Sequence, residues 1–271
     1  MPELPEVETT LKGVSKEILN KKIKSFVCRE HKLRWPIPMD MHNFLKGKTF
    51  ISAVRRGKYI ILYLDKGAVL IHLGMSGKLR IFKGSVNPVK HEHWDINFTD
   101  GWNLRYTDTR KFGALLKTTK DPYEHKLIKS LGPEPLGNSF NGDYLFQKSR
   151  KKTKPIKNFI MDSKIVTGVG NIYANEALFM AGIRPTKKSG LVSKAKYQDL
   201  SQAIVETLKE AIEAGGTTLK DYSNANEAPG YFKKELKVYD RGGESCLVCK
   251  KDLKEIRQSN RSTVYCSNCQ N

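Results

Sequence analysis

The 271-residue sequence has no long apolar run, and its longest examples, at 59–64 and 68–73, are only strand-sized. A helix that crosses a bilayer needs about 20 such residues, so a helical membrane span is excluded. Residues 1–8 are rich in proline and glutamate and lack the basic segment and apolar centre of a secretory signal. A cytoplasmic protein is therefore expected. Cysteine is scarce, five in all, and in a reducing compartment these should be free thiols unless they hold a metal. Acidic residues are also in short supply. Twenty-eight Asp+Glu against 48 Lys+Arg leave a net charge of +20 and a pI near 9.7. Such an excess attracts a polyanion, and with nothing to enter a membrane, nucleic acid is the stronger reading.

What is present suffices for one large domain or two modest ones with a small module, since 39% of residues are hydrophobic. Val7, Leu11, Val14 and Ile18 recur at helical spacing, predicting an amphipathic helix over 4–19. Short β-type segments follow at 50–54, 59–64, 68–73, 79–82, 94–99, 103–107 and 112–117. Turn signals such as Lys66-Gly67 and Asp100-Gly101 separate them, which reads as an antiparallel meander or sandwich. This β-rich part should end near Gly132-Pro133-Glu134-Pro135. Candidate helices then cover 144–150, 155–162, 171–181 and 193–214, with Gly168 and Gly170 breaking the chain before the third. A polar stretch at 215–230 leads to a cysteine-rich end, and no internal repeat stands out.

Four of the five cysteines form two matched pairs, Cys246-x2-Cys249 and Cys266-x2-Cys269, with 16 residues between them. Two tight knuckles at this spacing offer four thiolates to one tetrahedral zinc ion, and a four-thiolate set makes that zinc structural. Cys28 lies outside the pattern and reads as an ordinary thiol. Lys250, Lys251, Lys254, Arg257 and Arg261 lie between the knuckles, where they serve either a DNA backbone or plain solvation.

A proline at position 2 normally permits removal of Met1, which would leave the secondary amine of Pro2 as the N-terminus, beside Glu3. An α-amine has a pKa of about 7.7–8.0 against about 10.4 for lysine, so roughly a tenth is unprotonated at neutral pH. A helix start depresses it further. Such an amine can attack an electrophilic sugar carbon to give an iminium, with Glu3 placed for proton transfer. Proline and glutamate are equally good residues for starting a helix, so these two positions alone leave both readings open.

The opening Met1-Pro2-Glu3-Leu4-Pro5-Glu6-Val7-Glu8-Thr9 resembles the start of the formamidopyrimidine-DNA glycosylase family. So do Arg55-Arg56-Gly57-Lys58-Tyr59, His72-Leu73-Gly74-Met75-Ser76-Gly77 and Lys90-His91-Glu92-His93. Further matches are Tyr106-Thr107-Asp108-Thr109-Arg110-Lys111-Phe112-Gly113, Gly168-Val169-Gly170-Asn171-Ile172-Tyr173-Ala174 and Gly215-Gly216-Thr217-Thr218-Leu219-Lys220-Asp221. They occur in order over essentially the whole chain, and the four cysteines complete the series.

The resemblance implies an α+β multidomain enzyme. Its expected parts are an N-terminal antiparallel β-sandwich with a flanking helix (1–132), a helix-two-turns-helix domain with a lesion-capping loop (133–230) and a β-hairpin zinc finger (231–271). It further implies a monomer that clamps double-stranded DNA, excises 8-oxoguanine and formamidopyrimidines, and nicks the abasic strand by β,δ-elimination. By motif, Pro2 is the Schiff-base nucleophile, Glu3 the proton donor for base release, Lys58 the donor for β-elimination and Arg261 the donor for δ-elimination. Arginine stays charged and is a poor acid, so phosphate positioning suits Arg261 better on physical grounds.

A glycosylase acting on duplex DNA turns the damaged nucleotide out of the stack, and something must fill the hole. Met75, Arg110 and Phe112 match the family's void-filling trio. Asn171, His91 and Lys152 match phosphate or DNA contacts, and His93 reads as structural. The run 148–157 holds six Lys/Arg and no acid, which suits a non-specific backbone contact. Lys220 is expected to meet the flipped base. The rival readings are an endonuclease VIII-type glycosylase for oxidised pyrimidines and a non-catalytic zinc-finger DNA-binding protein. Leu4, the trio and the loop at 217–221 favour purines, and retention of Pro2, Glu3, Lys58 and Arg261 favours an enzyme.

Overall fold

The computed structural model describes residues 1–216 and 236–271. The chain forms two compact units, Met1–Lys129 with Ala214–Lys233, and Ser130–Glu213 with Lys234–Asn271. Among the described residues no helix is long and apolar enough to cross a membrane.

The first unit opens with α1 (Leu4–Ile18), which begins where Glu3 and Glu6 close a reciprocal capping box with Pro5 in the first turn. Val7, Leu11, Val14 and Ile18 line its buried stripe as their spacing requires. Next come β1 (Ile23–Cys28), α2 (Met41–Leu45), β2 (Phe50–Arg56), β3 (Tyr59–Leu64) and β4 (Ala68–His72). They are followed by β5 (Lys78–Lys83), β6 (Glu92–Phe98), β7 (Trp102–Thr107) and β8 (Ala114–Thr118). The strands build two four-stranded antiparallel sheets, ordered β1-β6-β7-β5 and β2-β3-β4-β8. The sandwich reading therefore holds over the plain meander. Leu62, Val69, Ile71, Leu79, Trp94, Ile96, Leu104, Tyr106 and Leu115 share its core with α1, and the rings of Trp94 and Tyr106 stack at 5.2 Å. Beyond an early passage from β1 to β2, the chain changes sheet after β4 and again after β7. Those two crossings, at 73–77 and 108–113, carry Met75 and then Arg110 and Phe112.

Two sequence expectations shift. Strand β1 was not foreseen, and the strand expected from Phe112 begins only at Ala114, leaving Arg110–Phe112 in an exposed loop with Lys111 at φ +55°.

The first unit also holds α3 (Lys126–Lys129). In the second unit, α4 (Gly142–Ser149), α5 (Ile156–Ile160), α6 (Asn171–Met180) and α7 (Lys194–Glu213) come before a two-stranded hairpin, β9 (Lys254–Gln258) and β10 (Arg261–Tyr265). Residues 172–179 of α6 are all buried, including the polar Asn175 and Glu176, which accept hydrogen bonds from the backbone N–H groups of Val264 and of residues 237–239. The longer α7 is amphipathic, burying Tyr197, Leu200, Ile204, Leu208 and Ala211 at helical spacing. Phe179 of α6 joins Val238, Leu253 and Val264 in one apolar cluster that seats the hairpin.

Candidate active site and nucleic-acid interface

Pro2 and Glu3 are both buried at the start of α1. The N–H of Glu3 donates to Glu6 Oε2 at 2.8 Å, so the backbone leading into the helix is held from within. The positive end of the helix dipole faces this segment. The same helix is tied to Lys58. Residues 57–58 form the two-residue turn between β2 and β3, with Gly57 at φ +58° as such turns demand. Arg55 donates from Nε to Glu8 Oε2 at 2.8 Å and from its Nη1 to the Gly57 carbonyl at 3.1 Å. One guanidinium thus connects α1 to the turn that carries Lys58.

His72 is near this turn and received no role from the sequence beyond its motif. Its Nδ1 accepts from the Gly74 N–H at 3.0 Å, and its ring lies 4.8 Å from that of Tyr59. Burial, with the cations of Lys58 and Arg34 nearby, pushes its pKa down to about 4. It is therefore a neutral imidazole that carries its proton on Nε2.

Met75 stands on the β4–β5 crossing, the first of this pair, and Arg110 and Phe112 on the β7–β8 crossing, the second. The Arg110 guanidinium covers the Phe112 ring at 5.0 Å, and both residues are exposed. Gly74 brings the first crossing against the second. A Cβ there would lie 2.5 Å from the Phe112 carbonyl carbon and from the Gly113 nitrogen. The three trio residues therefore sit on adjoining loops.

His91 adopts φ +73° at the end of a loop held by the buried Arg105. Arg105 donates to the Val86 carbonyl at 2.8 Å and to Glu92 at 2.7 Å, and Glu92 in turn accepts from the Val89 N–H at 2.8 Å. His93 is buried and donates from Nε2 to the Asp108 carbonyl at 2.6 Å, which is the structural role expected of it.

In the second unit, Ser259 and Asn260 occupy left-handed conformations in the β9–β10 turn, and Arg261 is exposed at its edge. Asn171, the first residue of α6 after Gly170, donates from Nδ2 to the Ser262 carbonyl at 3.1 Å. Asn171 and the hairpin bearing Arg261 are thus brought together. Within the basic run 148–157, Lys148, Lys151, Lys152 and Lys154 are exposed, but Lys157 is not. Its Nζ donates to the Ser262 carbonyl at 2.8 Å and to Thr263 Oγ1 at 2.6 Å, so it braces the hairpin from below. A count of charges along the run could not reveal that. Lys220 lies outside the described residues.

The four cysteine sulfurs all lie within 4.8 Å of one another, with Cys249 and Cys266 at 3.3 Å and Cys246 and Cys269 at 4.0 Å. A tetrahedron with metal–sulfur bonds of about 2.3 Å has edges of about 3.8 Å, so this set fits one zinc ion. The Cys269 N–H points at Cys266 Sγ from 3.5 Å, the kind of donor that steadies a thiolate ligand. Four thiolates leave no open position, so the ion serves the fold.

Comparison with known proteins accounts for the chain in three consecutive parts. Residues 1–115 match the formamidopyrimidine-DNA glycosylase N-terminal domain, 131–223 its H2TH domain and 243–271 the zinc finger found in FPG and IleRS. The formamidopyrimidine-DNA glycosylase of Cellvibrio japonicus is 53% identical over 270 residues, covering both chains in full. This chain belongs to the formamidopyrimidine-DNA glycosylase family. The Idiomarina loihiensis member is 51% identical, again over both full lengths. Among solved structures, Lactococcus lactis Fpg in complex with abasic-site DNA superposes with a TM-score of 0.92 at 34% identity over 99% of each chain. The same values hold for its complex with DNA containing N7-benzyl-Fapy-dG. The glycosylase fold thus places Pro2, Glu3, Lys58 and the trio in the β-sandwich unit, and Asn171, Lys152, Arg261 and the cysteines in the helical unit.

Proposed function

We propose that this glycosylase removes oxidised purines, 8-oxoguanine and formamidopyrimidines, from double-stranded DNA and then cuts the strand at the abasic site. The observation that carries the reading is the buried Pro2–Glu3 pair at the start of α1, fastened through Glu8 and Arg55 to the turn that presents Lys58. With Met1 removed, the Pro2 nitrogen lone pair forms a bond to C1′ of the flipped nucleotide. The glycosidic bond breaks, its electron pair leaves with the base, and Glu3 supplies the proton that neutralises the leaving group. The Pro2 nitrogen then gives up its proton, and its lone pair closes an iminium as the C1′–O4′ bond breaks, with the bond's electron pair going to O4′, which takes up a proton. Loss of a C2′ proton expels the 3′-phosphate, with Lys58 as the proton donor at that step, and Arg261 stands at the 5′-phosphate for the second elimination.

Met75, Arg110 and Phe112 fill the vacated stack, and His91, Lys152 and Asn171 hold phosphates. Lys220 meets the extruded base. By role we divide the chain into a catalytic part (1–132), a DNA-binding part with the capping loop (133–230) and the finger (231–271), acting as a monomer on the chromosome in the cytoplasm.

Borohydride trapping on duplexes carrying 8-oxoguanine:C, dihydrouracil or an abasic site tests this reading. The expected result is a covalent adduct that forms fastest on the 8-oxoguanine duplex, with N-terminal mass showing loss of Met1. Preferential trapping on dihydrouracil would transfer the enzyme to pyrimidine lesions, and no adduct on any duplex would end the catalytic reading.

A further inference from the structure

The two crossings that carry Met75, Arg110 and Phe112 are joined by one side chain to which no role has yet been given. Asp108 is completely buried at the end of β7. Its Oδ1 accepts from Ser76 Oγ at 2.6 Å and from the Arg110 N–H at 3.2 Å. Its Oδ2 accepts from the Gly113 N–H at 2.8 Å and from the Tyr106 hydroxyl at 3.1 Å. Ser76 Oγ also accepts from Thr109 Oγ1 at 3.0 Å and from the Arg110 N–H at 3.2 Å. The carboxylate therefore grips the first crossing through Ser76 and, through two backbone amides, both ends of the 110–113 segment, whose residues 110–112 are exposed. None of its four donors is a cation, so this is not an ion pair of the kind that braces the sheets elsewhere.

The local sequence is shaped around this contact. A Cβ on Gly113 would lie 1.7 Å from the Tyr106 hydroxyl oxygen and one on Gly77 2.5 Å from it, so both glycines make room for the phenol. The main chain of Asp108 also accepts from His93 Nε2 and donates to the His91 carbonyl, at 2.6 and 3.0 Å. A single buried residue thus links the loops of Met75, Arg110, Phe112 and His91.

We propose that Asp108, with Ser76 as its latch, is the positioning residue for the void-filling side chains, locking the two crossings into one rigid wedge before DNA is met. The inference rests on the reading of Met75, Arg110 and Phe112 as void fillers. Its physical sense lies in entropy. A loop loses backbone freedom when it is ordered, and a wedge already ordered in the free protein does not incur that cost during insertion. The two sheets also share an apolar core, so this carboxylate is not the sole link between them.

The test compares two substrates. Duplex DNA with 8-oxoguanine:C must be opened and its void filled, whereas a single-stranded abasic oligonucleotide has no void. Single-turnover borohydride trapping is measured on both for the wild type, Ser76→Ala and Asp108→Asn, with urea midpoints to confirm folding. Ser76→Ala removes the latch alone. Asp108→Asn turns an amide NH2 toward donors, and although the two hydroxyls can rotate, the Arg110 and Gly113 amides cannot. Loss of a hydrogen bond to a charged group predicts a roughly tenfold fall in duplex trapping for Ser76→Ala and a larger fall for Asp108→Asn, with single-strand trapping within about twofold of wild type. Equal losses on both substrates, or undiminished duplex trapping, would overturn the inference while leaving the wild-type reading intact. A wild-type protein that traps neither substrate would overturn the functional reading and this inference with it.

Discussion

Arg55 reaches from β2 to α1, its Nε 2.8 Å from Glu8 Oε2, while another arm of the same guanidinium holds the Gly57 carbonyl. The proposed nucleophile and the proposed β-elimination donor are on separate elements, and this pair gives them a common frame. The side chain of Arg55 is only 9% exposed, so solvent screens the interaction weakly.

Arg55→Ala is therefore expected to cost about 2 kcal/mol of stability and to slow Schiff-base turnover to the nicked product more than it weakens DNA binding. Arg55→Lys keeps the charge but loses the fork, so the Gly57 contact goes and only part of the turnover returns. Urea unfolding with single-turnover nicking decides this. Wild-type nicking in a destabilised Arg55→Ala protein would show that the link serves the fold alone.

A second prediction concerns zinc. One ion per chain should be found by elemental analysis, and Cys249→Ser should abolish it, because a three-thiolate remnant no longer closes the tetrahedron. The β9–β10 hairpin is seated through Val264 and Cys266 in the same cluster as Phe179, so it should lose order with the metal and take Arg261 with it. Fluorescence-anisotropy titration should then show weaker duplex binding. Unchanged zinc content and affinity in Cys249→Ser would contradict the assignment.

Phe112 supplies a third. It is 42% exposed, so Phe112→Ala should leave stability within about 0.5 kcal/mol of wild type. Removing an aromatic ring that stacks on a base costs about 1–3 kcal/mol, so excision from an 8-oxoguanine duplex should slow roughly tenfold. A stability loss without a change in excision would mark Phe112 as an ordinary surface ring.

These assignments were legible to different depths. Strands β3 and β4 are continuous apolar runs, α1 and α7 carry clear helical periodicity, and paired cysteines announce a metal whatever surrounds them. Strand β1 carries no strand pattern in sequence, because a register shift between Ile23 and Ser25 breaks its alternation and its buried Ile23 and Phe26 fall three apart, as on a helix. Pro2 and Glu3 read equally as helix-starting and as catalytic residues, and the Glu3–Glu6 capping box shows only that the helix-starting reading holds. Asp108 sat in view within its motif, but its partner Ser76 is 32 residues away and only the fold brings them together. Lys157 was hidden among five other cations, since linear charge says nothing of which ammonium turns inward.

The last prediction follows from His72. Its folded-state pKa of about 4 lies below the ordinary 6.5, first because burial disfavours the imidazolium and then because Lys58 and Arg34 repel it. Above pH 6.5 the ring is neutral in both folded and unfolded chains and contributes no pH dependence. Between 6.5 and 4 the unfolded chain takes up a proton that the folded chain refuses, so stability falls as the pH falls through this window. At 1.36 kcal/mol per pH unit the whole window corresponds to roughly 3 kcal/mol. His72→Asn keeps an acceptor for the Gly74 N–H but cannot titrate. The wild type should therefore lose about 3 kcal/mol relative to this variant as the pH is lowered from 7 to 4, whatever the carboxylates common to both proteins contribute. Urea unfolding at a series of pH values measures that difference directly. Parallel curves for the two proteins would mean that His72 accepts its proton as readily folded as unfolded, and the neutral imidazole beside Lys58 would have to be abandoned.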